Sequence, residues 1–323
     1  MKISDEALSI CQSIKVDIKP KVGVYHATVQ ARPRVEAKSV RSLIHQLTYE
    51  IYSEFHTGNT NSGDETILLN PRTTRDPCIE QQLSSAVPHT FTEAPGIFVD
   101  WLEERTAAVV EFDRTRIEVP VDKILSSSVK PGLPVIVQVP AVRPALSQGF
   151  CVVDGPRPLG QPRAKEIRRV YLHVASPDAA AQVWKTVLPM LNALRAPYRT
   201  KALSRLQEYP RRDAIVFYLQ ADTLSQVSSL IMERLSDSCL LEDATSAFAH
   251  RLGPGVAVAD EPNDLRPNLR GLSFGEHRAQ VLADVTVRHA LQPQSRLADV
   301  LTESLLSAGI CPCSLAFNAA ETA

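Results

Sequence analysis

Between Val40 and Gly58 the apolar positions Leu43, Leu47, Ile51 and Phe55 recur every four residues. That spacing predicts a helix with one buried stripe, and Gly58 is its natural stop. The polar TGNTNSGDE follows, and a proline-containing stretch without periodicity continues to about Pro95. Together they read as the longest irregular region, either disordered or a binding loop. AAVVEF and TRIEVPV, turning at Asp113-Arg114, read as a hairpin that PVIVQV and GFCVV extend. Residues 107–153 therefore predict a small antiparallel sheet. The turn-rich DGPRPLGQPR, 154–163, is the best boundary. It divides the chain into a helical and antiparallel β region, 1–155, and an α+β part, 156–323, expected to form one composite unit.

The second half changes pattern. RRVYLHV, YRTKAL and DAIVFYL read as strands. Helices follow in SPDAAAQVWKTVLPMLNALR, with Ser176 as cap and Pro177 in the first turn, and in TLSQVSSLIMERL, SFGEHRAQVLADVTVRHAL and RLADVLTESLL. GPGVAVADEP, 253–262, reads as a tight loop. Strands and helices mix without strict alternation, so the expected fold is α+β: a mixed sheet with flanking helices.

Composition narrows this picture. The chain has 323 residues, is 44% hydrophobic and carries a net charge of −1. It can bury a large core, and its balance gives no reason to expect nucleic-acid binding. The charge is unevenly placed: residues 161–220 hold eleven Lys and Arg against four acids. A local excess of that kind in a neutral chain favours a specific anion site. No apolar run approaches the roughly 20 residues of a membrane span, and MKISDEALSI does not read as a secretory signal. The six cysteines are scattered apart from Cys311-Pro-Cys313, with no zinc-ligand spacing. A cytoplasmic protein with reduced thiols is the expectation.

The candidate chemistry lies in short cationic contexts, since GxxxxGK[ST], GxGxxG, GxSxG and HExxH are all missing from the sequence. Arg168 and Arg169 open one predicted strand, and Arg211 and Arg212 open another. The two pairs could set several guanidinium forks at one end of a sheet to grip phosphate. Lys201 stands among cations, which disfavour its protonated form and suit a base; the alternative is a snorkelling side chain. His56 ends the first predicted helix, where a histidine cation is favoured and suits a proton donor, or simply caps the dipole. Ser273 and Glu276 form a capping box, so His277 and Arg278 ride a first turn whose free N–H groups attract anions.

YSEFHTG (52–58), RRVYLHV (168–174), PYRTKAL (197–203), YPRRDAIVFYL (209–219), GPGVAVADEP (253–262) and SFGEHR (273–278), in this order, resemble the HopA-type family, named after a type III secretion effector. The resemblance spans about 40–290. Members also occur in class V lanthipeptide and thioamitide biosynthesis, beside a phosphotransferase-like kinase. There they are taken to eliminate phosphate from phosphorylated Ser and Thr of a precursor peptide, giving dehydroalanine and dehydrobutyrine. The resemblance implies a phosphothreonine lyase-like enzyme without a cofactor. Its partners would be the phosphorylated precursor peptide and the kinase, with a cyclase left open and no nucleic acid or membrane. It puts weight on Lys201, His56, Tyr171, Arg169, Arg212 and Arg278. Lys201 is the expected base, His56 or Tyr171 the acid, and Arg169, Arg211, Arg212, His277 and Arg278 the phosphate-side residues. His173 departs from the small polar residue expected after Arg-Val-Tyr. A non-catalytic phosphopeptide- or partner-binding protein, or a binder of a small phosphate ester, are the alternatives.

Overall fold

Residues 3–19, 23–30, 32–59, 76–160, 166–236 and 238–320 are described by the computed structural model. Ser4 caps α1 (Asp5–Ser13), which runs directly into β1 (Ile14–Lys19). With β2 (Val24–Val29) and β3 (Val35–Glu36) it forms a three-stranded antiparallel sheet. Ser39 then caps α2 (Val40–Ile51), accepting from the Ser42 N–H. Leu43, Leu47, Ile51 and Phe55 are buried, as their spacing requires. The last turns of the predicted helix widen into a π-helix, Tyr52–Thr57, ended by Gly58 at φ +67°. The wider turn changes which residues face inward: Phe55 and its neighbour His56 are both buried.

The irregular region expected up to Pro95 is corrected on the described side of it, and its residues 60–75 lie outside the described residues. Asp76 caps α3 (Pro77–Ser85) through Cys78 and Ile79, with Pro77 at the first helical position. β4 (Phe91–Trp101) follows and is flanked by β5 (Ala107–Phe112) and β7 (Pro134–Pro140), with β6 (Thr115–Pro120) at the edge beyond β5. This four-stranded sheet buries Phe98, Ala108, Val110, Val119, Val135 and Val137 in a small core of its own. GFCVV does not join it. β8 (Val142–Ser147) and β9 (Phe150–Asp154) pass into the larger sheet, because β9 pairs with β11 (Tyr198–Leu203).

That larger sheet is completed by β10 (Ile167–Val174), β12 (Arg211–Gln220), β13 (His250–Gly253) and β14 (Val256–Asp260). Its order is β13-β14-β10-β12-β11-β9-β8. Every neighbouring pair is antiparallel, so the expected α+β class holds, with a sheet that is antiparallel throughout. The tight loop expected at 253–262 is corrected to a hairpin. Val256–Asp260 is buried throughout, as a strand covered on both faces must be, and Gly255 at φ +63° supplies the turn.

Alternation sorts the strands between two cores. Val170, Leu172, Ile215, Phe217 and Val258 pack with α4 (Pro177–Ala193) and α5 (Leu224–Leu235). Tyr171, Val216 and Ala259 pack on the opposite face with α2, α6 (Phe274–Leu291) and α7 (Leu297–Ser307). The helices of the second face cover β14, β10 and β12. The part of that face over β11 and β9 carries the site.

Candidate active site

Strand register sets two rows of side chains on the partly covered face. One row is Val152, Lys201, Val216, Tyr171 and Ala257; the next is Asp154, Arg199, Tyr218, Arg169 and Ala259. Directly paired residues point the same way. The rows thus run from a buried end at β14 to a more open end at β11, where Arg199 and Lys201 are half-buried, while Val152 and Asp154 of β9 beside them are buried. A cavity of about 390 Å³ lies over the open end, lined by Lys201, Arg199, Tyr218, Glu261, Val152 and Leu146 among others. Lys201 is half-buried, and its Nζ sits 4.0 Å from the centroid of the Phe150 ring. Arg199 is clamped by Asp154, at 2.6 and 3.1 Å, and Arg143 reaches the same carboxylate. Arg169 is nearly covered, forks onto Glu261 at 2.5 and 2.6 Å and lies over the Tyr218 ring.

A buried polar network stands behind Lys201. His56 Nδ1 is 2.8 Å from Ser246 Oγ, and its Nε2 is 3.7 Å from Asp213 Oδ2. Arg211 grips Asp213 with two bonds of 2.8 Å and donates to the Tyr52 hydroxyl at 3.0 Å. Ser246 Oγ accepts from the Phe248 N–H, which frees its own proton for His56 Nδ1. Phe248 stacks on the imidazole, and Tyr171 meets it edge-on at 5.4 Å. Burial pushes His56 down to about 4, with Asp213 pulling only partly back. The imidazole is therefore neutral near pH 7, which corrects the cation expected at the helix end. Asp213 goes the other way: burial would raise it, but Arg211 and His56 hold it well below the usual carboxylate range. Ser246, His56 and Asp213 have the composition of a nucleophilic triad. Ser246 is buried, however, and the group reads as a positioning network.

The remaining predicted cations are spoken for. β10 and β12 run antiparallel, with Arg168 opposite Leu219 and Val174 opposite Arg211. The two arginine pairs therefore lie at opposite ends of the sheet, roughly 20 Å apart along the strands. This corrects the single cluster of forks. Arg212 donates to the carbonyl of Glu54 at 3.1 Å and closes the end of the π-helix. Arg278 is fully buried, donating to Leu315 O at 2.7 Å and Asn318 Oδ1 at 3.1 Å. His277 is equally buried, with Nε2 3.0 Å from Asp264 and Nδ1 2.7 Å from Arg278. The first-turn cations are thus answered from inside, by Asp264 and the C-terminal segment, and not by an outside anion. Tyr171 is buried too; its hydroxyl makes no hydrogen bond of acceptable geometry, and burial raises its ionisation far above the ordinary range.

Of the predicted residues, only Lys201 lines the cavity. The sequence reading missed Tyr218, Glu261, Asp154, Asp213 and Ser246. Tyr218 was within reach: once YRTKAL and DAIVFYL are placed as adjacent strands, it pairs with Arg199 and is the half-buried tyrosine of that row. Ser246 and Glu261 are brought in by contacts distant in sequence and gave no local signal.

An α+β protein with a cationic, half-covered antiparallel sheet is what fold and site define. The HopA1 effector protein family matches residues 141–317, and the chain belongs to that family. An effector protein structure from Pseudomonas syringae pv. tomato strain DC3000 is similar at 15% identity, covering 87% of this chain and 91% of that one, with a TM-score of 0.48. Another from Pseudomonas syringae pv. syringae strain 61 is similar at 13% identity, over 88% and 98%, with a TM-score of 0.46. No curated protein matches the chain. No helix among the described residues is long and apolar enough to cross a membrane.

Proposed function

We propose that the chain is a phosphoserine/phosphothreonine lyase acting in the cytoplasm on a kinase-phosphorylated precursor peptide, in lanthipeptide-type peptide maturation. The supporting observation is the placement of Lys201 at the cavity, in the row next to Arg199 and Tyr218. In its unprotonated form Lys201 Nζ takes the Cα proton of the phosphorylated residue. The C–H electron pair becomes the Cα=Cβ bond, the Cβ–O bond breaks, and phosphate leaves. Arg199 faces the departing phosphate; a hydrogen bond to a charged group contributes roughly 1.5–3 kcal/mol. Tyr218 is the cavity's phenol and takes the proton-donor place, for which His56 and Tyr171 lie too deep. Arg169 reaches that cavity through Glu261, and His56, Asp213 and Arg211 hold the wall behind Lys201.

Incubating the protein with a phosphothreonine peptide and following its mass tests this. Loss of phosphoric acid is expected from the wild type and not from Lys201→Ala, which should still bind the peptide. Intact phosphopeptide after prolonged incubation with the wild type overturns the lyase reading.

A second reading, phosphopeptide or partner binding without turnover, is favoured by the internal pairing of Arg169, Arg199 and Arg211 with carboxylates. It expects binding that survives Lys201→Ala and weakens with Arg199→Gln.

A further inference from the structure

Two cysteines near the C-terminus take no part in the chemistry above. Cys311 and Cys313 flank Pro312, and the Ser314 N–H donates to the Cys311 carbonyl at 3.0 Å. This closes a β-turn with proline at its second position, where a fixed φ near −65° is favoured. The turn is anchored on both sides. The Cys311 N–H donates to Phe317 O at 3.0 Å, and Pro312 O accepts from the N–H of Ser4, the cap of α1, at 2.8 Å. Pro312 is buried, Cys313 is exposed and Cys311 is partly so. The two sulfurs are held 2.6 Å apart with one of them facing solvent. The other cysteines are differently placed: Cys11 and Cys151 are buried, and Cys78 and Cys239 are exposed on separate parts of the chain.

We propose that Cys311 and Cys313 are an oxidisable dithiol that closes to an intrachain disulfide within this turn. The inference goes beyond the lyase reading and does not depend on it. The co-reactant is a low-molecular-weight disulfide of the glutathione type. The Cys313 thiolate attacks one of its sulfurs; that S–S bond breaks, one thiol leaves, and a mixed disulfide remains on Cys313. The Cys311 thiolate then attacks the Cys313 sulfur, the internal S–S bond forms, and the second thiol leaves. Two protein thiols are oxidised, one external disulfide is reduced to two thiols, and the two cysteine protons pass to the leaving thiolates. The anchored turn keeps Cys311 beside the mixed disulfide, so closure outruns escape. The segment it staples continues directly into Leu315 and Asn318, the acceptors of Arg278.

The test exposes the folded full-length protein to glutathione disulfide, blocks remaining thiols with iodoacetamide, and maps the cysteines by peptide mass. The expected product is a peptide spanning Cys311–Cys313 that has lost two hydrogens, resists alkylation and regains it after dithiothreitol. Cys311→Ser should instead accumulate a stable glutathione adduct at Cys313. A wild-type protein that carries such an adduct, leaves both thiols alkylatable, or links two chains overturns the proposal. The wild-type measurement decides even where the serine variant folds poorly.

Discussion

At His56 two tendencies compete. A cation at a helix C-terminus gains about 0.3–1 kcal/mol, whereas the downward shift from 6.5 to about 4 opposes charging by on the order of 3 kcal/mol. Burial wins. His277 is in the same position, lowered to about 4 first by burial and then by Arg278. A histidine whose folded value lies below its unfolded one binds fewer protons when folded, so stability is full above about pH 6.5 and falls as pH drops toward 4. Unfolding free energies from urea titrations at pH 7.5 and 4.5 should differ by on the order of 2–3 kcal/mol for each histidine. Asp284, raised by burial, pulls the other way and blunts that slope. His277→Asn should flatten the profile; an unchanged slope removes His277 from this account. At Asp213 the stake is Arg211. Asp213→Asn takes from the buried guanidinium the carboxylate that holds it twice and leaves Glu208, which Arg211 Nη1 also reaches at 2.5 Å, a loss of about 3 kcal/mol measured by chemical denaturation. A change under about 1 kcal/mol would mean that Glu208 and Tyr52 suffice.

Elements position the site through close approaches. The π-helix brings His56 against α6, and Gly275 is where the two touch: a Cβ there would lie 2.2 Å from His56 Cδ2. Gly275→Ala should cost about 1–3 kcal/mol by overpacking and shift the imidazole. A lowered melting temperature together with an altered His56 NMR shift checks it; a silent substitution would show that the contact gives way. Gly58 plays the matching part at the helix end, with φ +67° and Arg212 close above it. In β12 the register slips between Leu172 and Val174 of its partner, with three residues of β12, Arg212 to Ala214, standing against one of β10, His173. This irregularity accompanies the turn of Arg211 and Asp213 toward Tyr52 and His56. A slip of this kind re-aims side chains that strict alternation would send elsewhere.

The whole molecule carries the seven-stranded sheet between two cores, with the four-stranded sheet on its own smaller one. The sheet draws β8 and β9 from before the turn-rich 154–163 and the rest from after it. The chain's last described segment closes the second core: Ala316 O accepts from Asp260 N–H, and Leu315 and Asn318 hold Arg278. Truncation after Ala308 should therefore strand a buried arginine and cost about 3–5 kcal/mol. Solubility and urea unfolding of the shortened chain check this, and a truncated protein of unchanged midpoint would refute it. On this view the C-terminus is part of the fold.

What the sequence by itself determined is local. Four-residue apolar spacing marked α2, Ser176-Pro177 opened α4, Ser273 and Glu276 capped α6, and short runs rich in β-branched and aromatic residues marked β10, β11 and β12, because these signals act within a few residues. The buried run Val256–Asp260 escaped because it is only five residues long and stands between Gly253-Pro254-Gly255 and Glu261-Pro262, which imitate a loop. For the site, the sequence singled out Lys201 and a surplus of cations. It could not say which of them face outward, since antiparallel pairing sends the two arginine pairs to opposite ends of the strands. Nor could it reveal that Asp213, Asp264 and the C-terminal carbonyls answer Arg211, His277 and Arg278 from within. Only tertiary structure decides that, because a charge is free or satisfied according to what long-range packing brings beside it.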